Sequence, residues 1–186
     1  MAKFTKRAIR QSLLKLLQKK EIDKISVKDI CDLCEITRNT FYYYYSDIYQ
    51  VLKELLTTET DNVIMEELEY DNFYEEFLQR YHLILEYRQA VLHLYKSKNR
   101  DMVLKYFYDM TENFVNKYVR KEVTGTKLSE EDISFITDFY TNSIIGTTLK
   151  WMQGGMQNSQ EQLIHRLSLS YQATIKSLIS ELNQKG

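Results

Sequence analysis

Apolar residues recur every three or four positions along most of the chain, a period that predicts amphipathic helices. Residues 3–17 show the pattern first, with one apolar face that predicts a helix packed on a core. A short second helix is predicted in residues 26–34, where the apolar stripe comprises Val27, Ile30, Cys31 and Cys34. Proline is absent and glycine occurs five times, so few positions suit the tight turns of a strand-rich protein. We therefore expect an all-α fold of about nine helices.

The second helix begins with the sequence of a capping box. Ser26 stands three residues before Asp29, so its hydroxyl can accept a hydrogen bond from the Asp29 backbone N–H while the carboxylate reaches back. Cys31 and Cys34 form a CxxC pair, which elsewhere indicates a redox or zinc site. Both lie on the apolar stripe and no second cysteine pair exists, which favours core packing over a metal or redox role.

A third helix follows after a short turn. Thr37 can cap it through the backbone N–H of Asn39 or Thr40, and Phe41 and Tyr45, four residues apart, form its inward face. The remaining side chains must point outward, and they carry groups suited to base edges and phosphates: Arg38, Asn39, Thr40, Tyr42, Tyr43 and Tyr44. Two short helices of this kind are typical of a helix-turn-helix, whose second helix enters the major groove.

Charge is distributed unevenly along the chain. The formal net charge is −1, yet residues 1–50 contain ten Lys and Arg against six Asp and Glu, which gives +4 there and leaves −5 for the rest. The first helix has a basic side formed by Lys3, Lys6, Arg7 and Arg10. This asymmetry favours a DNA-facing head on an acidic body.

Residues 5–55 resemble the DNA-binding signature of the TetR family of bacterial regulators, chiefly through Ile30, the run from Ile36 to Tyr42, Tyr45, Val51 and Leu52. The resemblance implies that the matching residues contact operator DNA, namely Thr37, Arg38, Asn39, Thr40, Tyr42, Tyr43 and Tyr44. It also implies that Ser26, Val27 and Lys28 hold a phosphate. Three positions depart from the family pattern: Glu35 replaces a turn glycine, Ile48 a phosphate-contacting lysine, and Tyr45 a phenylalanine.

The rest of the chain is predicted to form the body. Ser46 or Asp47 can cap a fourth helix that links it to the head. Further helical runs are predicted at residues 73–87, 88–97 and 101–123, with Gly125 as a stop, and two long helices begin at capping boxes at Ser129 and Ser159. We expect a helix-turn-helix DNA-binding domain in residues 1–46 and a dimerisation and effector-binding domain in residues 47–186.

The last two predicted helices are apolar on two sides, so each needs two partners. One partner is the chain's own core, and the simplest second partner is the same helix pair of another copy. The residues predicted at this interface are Phe139, Gly146, Leu149, Leu167, Tyr171 and Leu178. The alternative is that both helices are buried within one monomer. The segment from Gly146 to Met156 also resembles the C-terminal domain of one TetR branch.

These patterns predict a transcriptional regulator rather than an enzyme. No nucleophile–base pair, carboxylate pair or metal-ligand spacing stands out, His82, Glu86 and His93 included, so no cofactor or metal is expected. The absence of an export-type segment and of a long apolar run predicts a cytoplasmic protein with no membrane partner.

The expected function is that of a TetR-type repressor that binds a palindromic double-stranded DNA operator as a homodimer. A small-molecule effector of unidentified chemistry would release it, and the aromatic residues between Phe73 and Tyr118 either fill a core or line its pocket. The alternative is a dimeric interaction module or co-activator whose DNA-reading head is weakened or lost.

Overall fold

The computed structural model describes residues 2–65, 72–157 and 160–184. Within these ranges the chain forms nine α-helices, a short 3-10 helix at Ile22–Lys24 and no strand, which confirms the predicted all-α class. The helices are α1 (Ala2–Leu17), α2 (Val27–Cys34), α3 (Arg38–Tyr44), α4 (Ile48–Met65), α5 (Phe73–Glu86), α6 (Arg88–Tyr95), α7 (Arg100–Glu122), α8 (Glu130–Gln153) and α9 (Gln160–Asn183).

Two compact units can be distinguished. The first unit comprises Met1–Glu67 and Ile84–Tyr106, and the second unit comprises Leu68–Leu83 and Phe107–Gly186. The first unit therefore combines the predicted head with α4 and α6. The domain boundary after residue 46 stays a prediction.

The first unit is built around α1, which packs against α2, α4 and α6, while α2 packs against α3. Its core is formed by side chains that are at most 2% exposed: Ile9, Leu13, Leu17, Ile22, Ile30, Phe41, Tyr45, Val51, Leu52, Ala90 and Val103. Burying one such aliphatic or aromatic side chain stabilises a protein by about 1.5–3 kcal/mol. The helix-turn-helix is thus held by apolar contacts with α1 rather than by α2 and α3 alone.

Polar contacts join distant parts of the first unit. The His93 Nδ1 atom on α6 lies 2.6 Å from the Leu17 carbonyl oxygen at the end of α1. Asp23, in the connection between α1 and α2, accepts hydrogen bonds from the Tyr49 hydroxyl at 3.2 Å and the Lys98 backbone N–H at 3.3 Å. These bonds fix the α1–α2 connection to the start of α4 and to the segment after α6.

Aromatic rings fill the core of the second unit. The Phe73 ring stacks on the Tyr171 ring with centroids 4.1 Å apart, and it also contacts the rings of Phe77, Phe114 and Tyr118. The Phe77 ring in turn contacts Tyr81, whose centroid is 5.7 Å from that of Trp151. The sequence left two roles open for the aromatic residues of α5 and α7, filling a core or lining a pocket. These buried rings pack in the core.

Local signals at the helix ends agree with the sequence where they are described. The Ser129 hydroxyl accepts a hydrogen bond from the Asp132 N–H at 3.1 Å, and Gly125, with φ +84°, follows the end of α7. The predicted cap at Ser159 lies outside the described residues. No helix among residues 2–65, 72–157 and 160–184 is long and apolar enough to cross a membrane.

Candidate nucleic-acid interface

The capping box predicted at the start of α2 is present. The Asp29 N–H donates to the Ser26 hydroxyl at 3.2 Å, and the Asp29 carboxylate accepts from the Ser26 N–H at 2.7 Å. The Ser26 hydroxyl, which donates to the Asp29 carboxylate at 2.6 Å, lowers the pKa of Asp29 most; the Ser26 N–H and the Lys20 ammonium 3.1 Å away also lower it, from 3.8 to about 2. Ser26 and Lys28 are exposed at this helix start, while Val27 is half-buried. The N-terminus of α2 is therefore fixed by its cap, and a phosphate could reach Ser26 and Lys28 there.

The cap of α3 uses Thr40, one of the two partners predicted for Thr37. The Thr40 N–H donates to the Thr37 hydroxyl oxygen at 3.1 Å, and the two hydroxyl oxygens are 2.9 Å apart. Phe41 and Tyr45 are buried as predicted, which fixes the rotation of the helix about its axis.

That rotation brings most of the predicted DNA contacts to one exposed surface. Arg38 and Asn39 are exposed, and the Tyr42 and Tyr43 side chains are 56% and 81% exposed. Tyr44 is half-buried, and its ring packs edge-on against that of Tyr43 at 4.9 Å. A guanidinium, an amide and two phenols thus share a surface that can hydrogen-bond to bases and phosphates.

The turn between α2 and α3 has the backbone conformation that a glycine usually provides. Glu35 has φ 54° and ψ 44°, in the left-handed region, and its N–H donates to the Cys31 carbonyl oxygen. A residue with a Cβ in this conformation costs about 1–2 kcal/mol. The departure from the family glycine therefore carries a local cost, although the turn itself is formed.

The basic side of α1 is partly neutralised. Glu54 on α4 pairs with Lys6, 2.9 Å from its Oε2, and its other oxygen binds Arg10. Burial alone would raise the pKa of Glu54, but Lys6, Tyr45 and Arg10 outweigh it and lower that pKa. Only Lys3 and Arg7 of the four predicted basic residues remain outside this cluster and exposed. Sequence spacing missed Glu54 because it lies more than forty residues away along the chain.

The Tyr45 hydroxyl lies beside this charge cluster. It is buried, no well-formed hydrogen bond joins it to another described residue, and Glu54 and Arg10 are its charged neighbours. Burial, followed by the Glu54 charge, raises the pKa of Tyr45 to about 12. The Lys6 ammonium lies 5.2 Å from the centre of the Tyr45 ring, so the same lysine contacts both α4 and the end of α3.

The two cysteines occupy the interior side of α2. Cys31 is buried, and the half-buried Cys34 thiol donates to the Ile30 carbonyl oxygen at 3.0 Å. Burial raises the pKa of both thiols, which disfavours the reactive thiolate. Across the part of the chain that the structure describes, no three His, Cys, Asp or Glu side chains are grouped as metal ligands.

The predicted interface on α8 and α9 has a mixed burial pattern. Phe139 is 51% exposed and Gly146 is exposed, while Leu149, Leu167 and Leu178 are half-buried. Tyr171 differs, because it is only 4% exposed and belongs to the aromatic core of its own chain. Two further apolar side chains that were not assigned to the interface, Phe135 and Leu169, are 56% and 55% exposed.

Comparison with known proteins gives a consistent result. The model of a transcriptional regulator C-terminal region of the TetR type matches residues 71–172, more than half of the chain. The solved structure of the dihydroxyacetone kinase operon activator DhaS is similar with a TM-score of 0.78 and 22% identity, over 92% of this chain and 96% of that one. No curated protein matches the chain in sequence.

Two other solved structures are similar over most of their length. A TetR-family transcriptional regulator from Streptomyces coelicolor has a TM-score of 0.66 and 12% identity, over 95% of this chain and 87% of that one. One described as a TetR-family transcriptional regulator from Syntrophomonas wolfei has a TM-score of 0.66 and 21% identity, over 94% and 96% of the two chains. At these identities the structures support the fold alone.

Proposed function

We propose that this chain, which belongs to the TetR family of transcriptional regulators, represses transcription by binding a palindromic operator as a homodimer and is released by a small-molecule effector. The observation that carries the proposal is the exposed surface of α3, held in one orientation by buried Phe41. A purely structural helix gains nothing from exposing a guanidinium, an amide and two phenols side by side.

In this proposal each exposed group of the head has a place on DNA. Arg38 and Asn39, at the start of α3, read base edges in the major groove, and Tyr42 and Tyr43 bind bases or phosphates through their hydroxyls. Thr37, Thr40 and Tyr44 border this surface and contact the sugar-phosphate backbone of the DNA. Ser26, Val27 and Lys28 hold a phosphate at the start of α2.

The dimer in this proposal forms through α8 and α9. Phe135, Phe139 and Leu169 expose large apolar side chains. Covering them with another apolar surface removes them from water and is favourable. No described residue of its own chain lies within 4 Å of the position of a Cβ at Gly146, which leaves room for a helix of a second copy to approach. Two recognition helices in such a dimer lie about 34 Å apart and require a near-palindromic site.

A second candidate is a dimeric interaction module or co-activator whose DNA-reading head is weakened. Ile48 brings no charge to the start of α4, Lys6 and Arg10 are paired with Glu54, and Glu35 strains the turn. One structural relative is itself named an activator, so the sign of regulation is part of the test. In both versions the protein acts in the cytoplasm and without catalysing a reaction.

Selection of duplexes from a random DNA library by the purified full-length protein tests the proposal. We expect enrichment of a near-palindrome, and we expect affinity for random duplex to fall steeply as salt increases, since phosphate contacts release counterions. Failure to enrich any sequence, with no affinity for random duplex even at low salt, would exclude the repressor and favour the second candidate. A reporter gene under the selected sequence then distinguishes repression from activation.

A further inference from the structure

A cleft of about 400 Å³ lies in the second unit, where the start of α5, the end of α7 and the middle of α9 meet. Its size falls in the range of small-molecule sites. The rings of Phe73, Tyr118 and Tyr171 form its inner wall, and Lys121, Glu122 and Lys176 also line it. Because aromatic rings fill the core of this unit, the cleft offers a small molecule room that the packed rings do not.

The Tyr171 hydroxyl is the first sign that the cleft has a ligand. It is buried, and among the described residues it has no hydrogen-bond partner. Its ring is fixed between Phe73, at 4.1 Å, and Tyr140, at 4.9 Å, so the side chain cannot simply turn to reach water. An unsatisfied buried hydroxyl costs about 1–3 kcal/mol, so a residue of the cleft wall carries a polar group that lacks a described partner.

Positively charged side chains line the cleft although the body is acidic. Among the described lining residues, two are lysines, Lys121 and Lys176, and one is a glutamate, Glu122. The helix α5 begins here as well: its first turn is capped by Asn72, whose Oδ1 accepts from the Tyr74 N–H at 2.9 Å. The positive end of a helix dipole adds to the attraction for an anion.

A second group of charges lies behind the Tyr118 wall. The Tyr118 hydroxyl donates at 2.8 Å to the buried carboxylate of Glu76, which also accepts from Arg80 at 2.6 Å and Lys117 at 2.9 Å. Two cations on one carboxylate leave a further positive charge, and one Arg80 nitrogen, Nη1, is buried without a partner among the described residues. The described charges beside Tyr118 therefore favour an anion over a cation.

We propose that this cleft binds a small organic anion, a carboxylate or a phosphate ester, with its apolar part against Phe73 and Tyr171. Lys121 and Lys176 hold the anionic group, and the Tyr171 hydroxyl donates a hydrogen bond to the ligand. The role of this anion as the effector rests on the proposed function, whereas its binding does not.

Thermal-shift titrations of the full-length protein test the binding with benzoate and phenyl phosphate, up to about 10 mM. Benzyl alcohol, which has a ring and no charge, and sodium chloride at matched ionic strength are the controls. We expect saturable stabilisation by at least one of the anions, and its identity distinguishes a carboxylate site from a phosphate site. Absence of saturable binding by both, or equal binding of benzyl alcohol, would overturn the proposal.

Variants then locate the site. Tyr171→Phe keeps the stacked ring and removes only the hydroxyl, and Lys176→Gln removes one exposed charge, so both leave the fold intact. Each should weaken binding about fivefold, whereas Lys127→Gln, which changes a lysine outside the cleft, should not. Unchanged affinity in both cleft variants would refute the assignment.

The effector role has its own measurement. The anion that binds should change the affinity for the selected operator, and this response should weaken in Lys176→Gln. Binding without any change in operator affinity would overturn the effector role and leave the binding site standing. If the unaltered protein bound no operator even without an anion, that result would instead count against the proposed function.

Discussion

The helices α3 and α8 both expose aromatic rings, and the two surfaces differ in the polar atoms that the rings carry. On α3 the exposed rings are Tyr42 and Tyr43, beside Arg38 and Asn39. On α8 they are Phe135 and Phe139, which have no polar side-chain atom. An exposed phenol can hydrogen-bond to water until a polar partner replaces the water. An exposed phenylalanine ring is stabilised only when an apolar surface covers it. We therefore expect DNA to cover the first surface and protein to cover the second.

The two surfaces also differ in how they are supported. The helix α3 has seven residues, too few to be stable alone, so it depends on the Thr37 cap, the Glu35 turn and buried Phe41. The helices α8 and α9 each have 24 residues and two-sided apolar patterns. Small local changes should therefore affect the α3 surface, whereas the α8–α9 surface should respond mainly to changes in the contact itself.

The largest effect is expected from a charge placed on the apolar surface. Phe139→Glu should convert the dimer into monomers and lower operator affinity about a hundredfold or more, because the two half-sites no longer bind together. Light scattering after size exclusion and electrophoretic shift assays measure the two effects. Lys127→Glu is the control for a charge change away from this surface. A Phe139→Glu protein that remains dimeric would place the interface elsewhere.

Substitutions on the α3 surface should lower operator affinity without disrupting the dimer. Arg38→Ala should weaken operator binding about 10- to 100-fold, and Tyr42→Phe, which removes one hydroxyl, less than tenfold, while both proteins remain dimeric. Fluorescence anisotropy with the selected operator gives the affinities, and Lys127→Ala serves as the matched control. If both affinities equalled that of the unaltered protein, the DNA surface would not be on α3.

Glu35→Gly tests the support of α3. Glycine adopts the left-handed conformation without strain, so the free energy of unfolding should rise by about 1 kcal/mol. Urea unfolding measures it. Glu21 has φ −60°, where glycine relieves nothing, so Glu21→Gly should leave stability unchanged or lower it. A Glu35→Gly protein no more stable than the original would show that the turn is not strained.

The smallest effect concerns the cap of α2 and depends on pH. The pKa of Asp29 in the folded protein is about 2, below its ordinary 3.8, so ionised Asp29 stabilises the fold above pH 3.8. That contribution is lost as the pH falls from 3.8 towards 2. Asp29→Asn should therefore be less stable than the original at neutral pH, and the difference should shrink in acid. A difference that does not change with pH would contradict the assigned pKa, and Asp32→Asn, on the same helix, should show little effect.

Features set by neighbouring residues could be predicted from the sequence. The Ser26 box and the Thr37 cap join residues three apart, and the inward pair Phe41 and Tyr45 follows from helical spacing, so α2 and α3 were located correctly. The left-handed conformation of Glu35 could be suspected only because the family resemblance pointed to a glycine there.

Features that depend on tertiary contacts could not be predicted. Glu54 pairs with Lys6 and Arg10 across a long stretch of chain and offsets one of their two positive charges, and nothing in the spacing of α1 reveals it. Tyr171 is a second example. When a helix has two apolar stripes, the sequence does not show which stripe faces the core of its own chain. The structure places Tyr171 against Phe73, while Leu169, surrounded in sequence by polar residues, is exposed.

The pairing of Glu54 with Lys6 and Arg10 makes this carboxylate an internal counterion for the head. In solution, a free lysine or arginine exchanges its accompanying anions with the buffer. For Lys6 and Arg10, one of the two positive charges is instead offset by a carboxylate that is covalently part of the protein. The head therefore carries less unpaired positive charge than its lysines and arginines alone suggest, and in the proposed function selectivity comes from what α3 reads.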